Sequence, residues 1–170
     1  TTNYAHRLPL YAVSIALVVD DVVQAGAVVV PPLGETFEAV RGGGARLNGA
    51  PISASDCQEL RLALLATGFA YDPDERRRNL GHWERFVVEA QAVRRIGSAA
   101  YDLCCVACGR FDGYWERGPS AWDLAAGSLL VSEAGGAVSG YNGGPFDLSA
   151  REVLASAPGI HGQMMQRLAE

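Results

Sequence analysis

The sequence predicts a layered α/β fold in which an antiparallel meander is followed by alternating strands and helices. Residues 11–41 contain apolar, β-branched segments separated by short turn signals. After about residue 60, short apolar segments alternate with longer segments of helical periodicity. Alternation of this kind favours a sheet covered by helices. The 170 residues, 49% apolar and 19% charged, have the composition of one globular domain with enough apolar material for a core.

The first part of the chain predicts a meander of three strands, at residues 11–19, 25–30 and 36–41. Asp20-Asp21 and Pro31-Pro32 end the first two strands, and Asn48-Gly49 is a further turn signal. Because the connections are short, we expect neighbouring strands to be antiparallel.

The second part predicts a strand at 61–67 and then a helix over 73–90, with Asp72 as N-cap and Pro73 in its first position. Leu80, Trp83, Val87 and Ala90 recur at helical spacing along it. The change of pattern near residues 50–60 predicts two units, 1–55 and 56–170. The remaining elements are predicted as strands at 93–96, 112–116, 137–139 and 152–156, and helices at 98–109, 121–134 and 160–169.

Charge and cysteine usage exclude several classes of function. The net charge is −5, and the 14 basic residues are all arginines. The only adjacent three, Arg76 to Arg78, follow the acidic residues Asp72, Asp74 and Glu75. This distribution argues against nucleic acid or an anionic membrane as partner. No apolar run approaches the ~20 residues that a membrane span needs. Cys104, Cys105 and Cys108 share one predicted helix and Cys57 is isolated, so buried thiols in a reducing, cytoplasmic compartment are favoured over a metal site.

Asp123 is the strongest candidate for a functional carboxylate. It lies between Trp122 and Leu124, and the small residues Ala125-Ala126-Gly127 follow. This is the start of a predicted helix that ends at Gly135-Gly136. One interpretation is a helix cap, in which the carboxylate accepts backbone N–H groups. The other is an oxygen ligand for Mg²⁺.

Three further positions are candidates on local grounds. Gly97 and Ser98 lie where a strand turns into a helix, which can bind anions or simply cap the helix. Glu116 ends a predicted strand, as ligand-contacting residues do, although a surface pair with Arg117 is the alternative. Thr1 could be an N-terminal nucleophile that uses its own amine as base, or only the first residue of the chain.

Together, several segments resemble the inositol monophosphatase family of metal-dependent sugar phosphatases, and the resemblance extends from Thr1 to about Leu168. Two segments, Trp122-Asp123-Leu124-Ala125-Ala126-Gly127 and Glu133-Ala134-Gly135-Gly136, together resemble the family's second signature. The other segments that resemble family motifs are Thr1-Thr2-Asn3-Tyr4, the end of the first signature; Arg41-Gly42-Gly43-Gly44, a glycine-rich hairpin; Gly97-Ser98-Ala99-Ala100; and Gly143-Gly144-Pro145-Phe146-Asp147.

This resemblance implies an αβαβα layered sandwich and Mg²⁺-dependent, lithium-sensitive hydrolysis of a phosphate monoester, with inositol 1-phosphate as the substrate and a homodimer as the assembly. It implies that Asp123 ligates a metal and that the Thr1 hydroxyl orients the attacking water. Gly97, Ser98 and Ala99 would line the phosphate and substrate pocket, and Glu116 would accept a hydrogen bond from a substrate hydroxyl. Family relatives also hydrolyse histidinol phosphate, fructose 1,6-bisphosphate or 3′-phosphoadenosine 5′-phosphate.

The chain also departs from the family pattern. The glutamate ligands and the aspartates of the first signature would precede Thr1, and the sequence does not contain them. We therefore expect the 170 residues alone to be inactive, and the family's N-terminal helices and first strands to be missing, which would leave apolar surface uncovered. The alternatives at this stage are a non-catalytic dimerisation or binding module and an N-terminal-threonine hydrolase.

Overall fold

A computed structural model of the chain describes residues 1–169, which form two β-sheets, five α-helices and three short 3-10 helices. The first sheet is antiparallel throughout, in the order β1-β2-β3-β4-β5. This matches the predicted meander. Its strands are β1 (Val13–Val19), β2 (Val22–Val30), β3 (Glu35–Val40), β4 (Ala45–Leu47) and β5 (Ala50–Pro51), preceded by the one-turn helix α1 (Thr2–Ala5).

The second sheet is mixed and has the order β7-β6-β8-β10-β9. Strand β6 is parallel to both β7 and β8, whereas β10 is antiparallel to β8 and β9. The carboxyl ends of β6 and β8 therefore lie at the same edge. The strands are β6 (Leu64–Thr67), β7 (Ala92–Arg94), β8 (Gly113–Arg117), β9 (Ala137–Ser139) and β10 (Glu152–Ser156), and the helices are α2 (Pro73–Glu89), α3 (Ala99–Ala107), α4 (Ala121–Glu133) and α5 (Pro158–Ala169).

Side chains alternate across the second sheet and define its two helical layers. Leu65, Trp115 and Leu154 are fully buried in the cluster that also contains residues of α2 and α5. Their neighbours Ala66, Tyr114, Val153 and Ala155 point the other way, into the cluster formed with α3 and α4. This is the period-two pattern of a sheet with both faces covered.

Helices α3 and α4 also cover the inner face of the first sheet, where Val28 and Phe37 are fully buried. The small residues of α4 permit this close approach. A Cβ added to Gly26 in β2 would lie 2.8 Å from the Cα of Ala126 in α4. The layer order in residues 1–169 is therefore α2/α5, second sheet, α3/α4, first sheet.

The outer face of the first sheet is apolar and exposed. Val13, Ile15 and Leu17 alternate along β1 with exposures of 53%, 67% and 57%, and Val40 of β3 adds to the same face with 61%. The expected uncovered surface is therefore present, and the fifth, helical layer of the expected sandwich has no counterpart in the part of the chain that the structure describes.

The structure corrects the predicted buried face of α2 and several element boundaries, among them the start of β2, which is Val22 and not residue 25. In α2, Leu80 and Val87 are 53% and 47% exposed, and the buried positions are Asn79 and Phe86. The prediction failed because the buried face contains a polar residue that apolar periodicity does not count. The strand predicted at 61–67 begins only at Leu64, because Leu60–Leu62 form a 3-10 turn.

The cysteines are thiols without a disulfide or a metal cluster among the described residues. Cys104 and Cys105 are buried in α3, and burial raises the pKa of both thiols, that of Cys105 to about 12. None of the described helices combines the length and apolar character needed to cross a bilayer.

Candidate active-site cleft

A cleft of about 570 Å³ lies where β6 and β8 end and α3 and α4 begin. A larger cleft, of about 900 Å³, lies between the β1–β2 hairpin and residues 146–149 and contains none of the candidate residues. The smaller cleft brings together all six residues proposed from the sequence, which are Thr1, Gly97, Ser98, Ala99, Glu116 and Asp123.

Two features determine the conformation of the turn before α3: the glycine at position 97 and hydrogen bonds from the Asn3 side chain. Gly97 has a φ of +87°, and a Cβ at this position would lie 2.7 Å from the Nη1 atom of Arg95. The buried Asn3 side chain donates from Nδ2 to the carbonyl oxygens of Leu10 (2.8 Å) and Ile96 (2.9 Å). Asn3 therefore ties the N-terminal segment to this turn, a role that the sequence did not reveal.

Ser98 occupies the N-cap position of α3, but its side chain makes no capping hydrogen bond. The simple capping interpretation of Ser98 is therefore wrong. The first N–H groups of a helix have no partner within the helix, and they carry the positive end of its dipole. The start of α3 thus presents backbone donors to the cleft, as an anion site requires.

Glu116 lies deep in the cleft wall. The Tyr114 hydroxyl donates a short hydrogen bond to its Oε2 atom. A Cβ on Gly68 would overlap the Glu116 carboxyl group, so only glycine leaves room for it. Burial raises the pKa of Glu116 to about 7, although the Tyr114 hydrogen bond and the Arg95 charge act in the opposite direction. The proposed pair with Arg117 does not form, because Arg117 binds Glu152 at 2.6 Å.

A buried amide network supports the Gly68 turn behind Glu116. Asn79 donates to the Gly68 carbonyl oxygen (2.6 Å) and to the Thr67 hydroxyl (3.1 Å), and it accepts from the Trp115 indole N–H (2.7 Å). Thr67 in turn donates to the Trp115 carbonyl oxygen at 2.6 Å. The network therefore fixes the ends of β6 and β8 relative to α2. It depends on the same Asn79 whose burial the sequence did not predict.

Asp123 occupies the third position of α4, and its Oδ2 atom accepts the Ser120 backbone N–H at 2.9 Å. The capping role is therefore present. Arg151 stabilises the segment before Ser120 by donating to the Gly118 carbonyl oxygen at 2.6 Å.

Thr1 is exposed and lines the same cleft. It precedes α1, and its carbonyl oxygen accepts the Ala5 N–H.

The described residues do not by themselves fit a Mg²⁺ cluster. No group of three or more His, Cys, Asp or Glu side chains within residues 1–169 could hold a metal ion. One oxygen of Asp123 is already engaged by a backbone N–H. A Mg²⁺ site needs further oxygen ligands in near-octahedral geometry, and this cleft contributes one candidate carboxylate.

Comparison with known proteins identifies the family. The family model for inositol monophosphatases matches residues 1–170. A Synechocystis protein named inositol-1-monophosphatase is 47% identical over 99% of this chain, and a Pasteurella multocida protein named Nus factor SuhB is 39% identical over 99%. An Anabaena (Nostoc) inositol monophosphatase structure superposes with a TM-score of 0.93 at 44% identity, covering 99% of this chain and 68% of its own.

The chain spans only 59% of the Synechocystis protein and 63% of the Pasteurella protein. Their activities are therefore not transferred with the fold. The family model nevertheless matches the whole of this chain, and the superposition shows the same fold. The chain belongs to the inositol monophosphatase family.

Proposed function

We propose that this chain forms the phosphate- and substrate-binding part of an enzyme that hydrolyses a phosphate monoester, with inositol 1-phosphate as the substrate. The observation that carries the proposal is the convergence in one cleft of the open α3 N-terminus, the buried Glu116 and the carboxylate of Asp123. Anion donors and a hydroxyl acceptor in the same cleft suit a phosphorylated polyol.

Each residue then has a distinct role in the proposal. The N–H groups at the start of α3, after Gly97, bind phosphate oxygens, and Ser98 and Ala99 complete that wall. Glu116 accepts a hydrogen bond from a substrate hydroxyl in addition to the Tyr114 hydroxyl, and its burial favours such a donor because a buried charge with few hydrogen bonds is costly. The Thr1 hydroxyl orients the attacking water. Asp123 would supply one oxygen ligand to Mg²⁺, which would polarise the phosphate and activate the water.

The remaining Mg²⁺ ligands would have to come from outside residues 1–169. We therefore propose that the 170-residue chain binds substrate but does not turn it over. Lithium sensitivity and a homodimer are part of the same proposal on family grounds, and a cytoplasmic location is part of it because of the free cysteines.

The first experiment measures phosphate release from myo-inositol 1-phosphate by the chain at its verified mass of 18.0 kDa, with Mg²⁺ and again with EDTA. We expect no release above background in either case. Release that EDTA abolishes would overturn the inactivity of the isolated chain and would support the reaction class. Release that persists in EDTA would favour the N-terminal-threonine hydrolase.

The second experiment joins the preceding segment of the Synechocystis relative to Thr1 and assays the chimera. We expect Mg²⁺-dependent release that Asp123→Asn reduces to background. Asp123→Asn keeps an oxygen that can accept the Ser120 N–H, so folding is retained while the charge is lost. Exposed Asp74 provides the control, and Asp74→Asn should leave release unchanged. A folded chimera without release on any of the four family substrates would refute the proposed function.

A non-catalytic binding module is the second candidate. It is favoured by the single metal-ligand carboxylate that the described cleft contains. In that case Asp123→Asn would leave partner or ligand binding unaffected. A calorimetric titration of the chain with inositol 1-phosphate separates the two candidates, because the phosphatase proposal requires binding that Glu116→Gln weakens by about 10-fold or more.

A further inference from the structure

Asp102 is a buried carboxyl group that the proposed mechanism does not use. It lies in α3, four residues after Ser98, and is 1% exposed. Neither of its oxygens makes a hydrogen bond of normal geometry among residues 1–169, although the Ser98 backbone N–H lies nearby. Asp112 shows the contrast: its two oxygens accept from the Ser55 hydroxyl (2.6 Å) and the Leu64 N–H (2.7 Å). The fold thus provides two close donors for Asp112 and no comparable donor for Asp102.

An ionised carboxylate without donors is very unfavourable at such a depth, so the group takes up a proton instead. Burial raises the pKa of Asp102 well above its ordinary value, and the nearby Glu116 carboxylate raises it further. The Arg95 guanidinium and the Ser98 backbone act in the opposite direction. The other titratable groups nearby are Tyr114 on β8 and the thiols of Cys104 and Cys105 on α3 itself.

The surroundings of the two carboxyl groups decide which one keeps the proton. Glu116 lines the cleft and accepts the Tyr114 hydroxyl, which stabilises its charged form. Asp102 is more deeply buried and has no comparable donor. Two negative charges close together in a low-dielectric region repel strongly, so ionisation of one opposes ionisation of the other.

We propose that Asp102 is a positioning residue that remains a neutral carboxylic acid at neutral pH, so that ionisation of the buried pair falls on Glu116. A neutral Asp102 also leaves the positive end of α3 uncompensated, available for the phosphate group. When the pH rises through the Glu116 titration, that carboxyl group releases its proton to solvent and Asp102 keeps its own. The inference rests on the proposed role of Glu116, but its test reads proton location and not turnover.

The experiment is infrared spectroscopy of the carboxyl groups in the 170-residue chain at about pH 8, where ordinary carboxyl groups are ionised. We expect the carbonyl stretch of a protonated carboxyl group in the wild-type chain and in Glu116→Gln. Asp102→Asn should lack it, and the control Asp74→Asn should retain it. A wild-type spectrum without the band, or a band that Asp102→Asn retains, overturns the proposal.

A second measurement follows Glu116 itself by ¹³C-carboxyl NMR. If Asp102 is neutral, Asp102→Asn exchanges one neutral group for another, and the Glu116 midpoint should stay unchanged. If Asp102 is ionised, removal of its charge should lower that midpoint by about one pH unit or more, which would refute the inference. Should Asp102→Asn fail to fold, an aspartate-labelled wild-type chain gives the answer: one aspartate carboxyl signal should keep the chemical shift of the protonated form up to about pH 8, and its absence would overturn the proposal.

Discussion

Replacing Glu116 by Gln should stabilise the folded chain, and the gain should grow with pH. The folded-state pKa of Glu116 is raised by burial from 4.5 to about 7. The folded state therefore binds the proton more tightly than the unfolded state does. Stability from this group is fully present below about pH 4.5, falls as the pH rises, and reaches its lowest level above about pH 7.

The magnitude follows from the two pKa values. Each unit of separation corresponds to about 1.4 kcal/mol, so ionisation of Glu116 costs about 3 kcal/mol of folding free energy when it is complete. Between about pH 5 and pH 9 the calculated loss is about 2.5 kcal/mol, because the unfolded-state group is already mostly ionised at pH 5. Gln cannot ionise, and its amide oxygen can still accept the Tyr114 hydroxyl.

The assay is urea unfolding of the wild-type chain and Glu116→Gln at about pH 5 and pH 9. The difference in unfolding free energy between the two proteins should change by about 2.5 kcal/mol between these conditions. Glu84 is an exposed glutamate on α2, so Glu84→Gln is the matched control and should show a change below about 0.5 kcal/mol. An equal stability difference for Glu116→Gln at both pH values would refute the reasoning about burial.

Three further predictions test the packing that positions the cleft. Gly26→Ala should cost about 1–3 kcal/mol in urea unfolding, because its Cβ would meet the α4 backbone, whereas Gly162→Ala in the open face of α5 should stabilise by about 0.5–1 kcal/mol. Equal effects would show that α4 can move away. Asn79→Ala should cost about 3 kcal/mol, since the buried Trp115 N–H and Gly68 carbonyl lose their partner; a cost below about 1 kcal/mol would contradict the network. The control Asn142→Ala removes only an exposed hydrogen bond from the Gly144 N–H and should cost less than about 1 kcal/mol. Replacing both Ile15 and Leu17 by Thr should reduce binding of an apolar dye by the chain, whereas the same change at Leu62, 50% exposed elsewhere, should not; unchanged dye binding would mean that the β1 face is covered in solution.

Sequence reasoning succeeded where a local pattern has one physical solution. The Asp72-Pro73 start of α2 is confirmed, with the Asp72 side chain accepting the N–H groups of Asp74 and Glu75. The hairpin at Asp20-Asp21 is also found, and both residues adopt the positive φ that tight hairpin turns require. These signals are short-range, so no knowledge of the tertiary fold is needed to interpret them.

It failed where a polar group is buried for reasons that lie far along the chain. Asn79 is 36 residues away from its partner Trp115, and no pattern in α2 marks it as a core residue. Asn3 contacts Ile96 across 93 residues. The His161 ring makes hydrogen bonds to Ser139 (Nε2 to Oγ, 2.9 Å) and to Ser156 (Nδ1 to Oγ, 2.8 Å). A hydrophobicity pattern scores such residues as surface, because their partners become visible only in the folded structure.

The two carboxylates in the cleft show why a motif and a structure answer different questions. The sequence singles out Asp123 and Glu116 as candidate carboxylates, but it does not reveal how the surroundings of the two groups differ. The fold separates them: the Ser120 N–H engages Asp123 at the start of a helix, whereas Glu116 is buried between Gly68 and the Tyr114 hydroxyl. Pairs of titratable groups in unlike surroundings are how one site assigns different roles to the same chemical group. This difference supports the proposal that Glu116 recognises a substrate hydroxyl, because the protein has already largely desolvated that carboxyl group and a hydroxyl donor would cost it little further hydration.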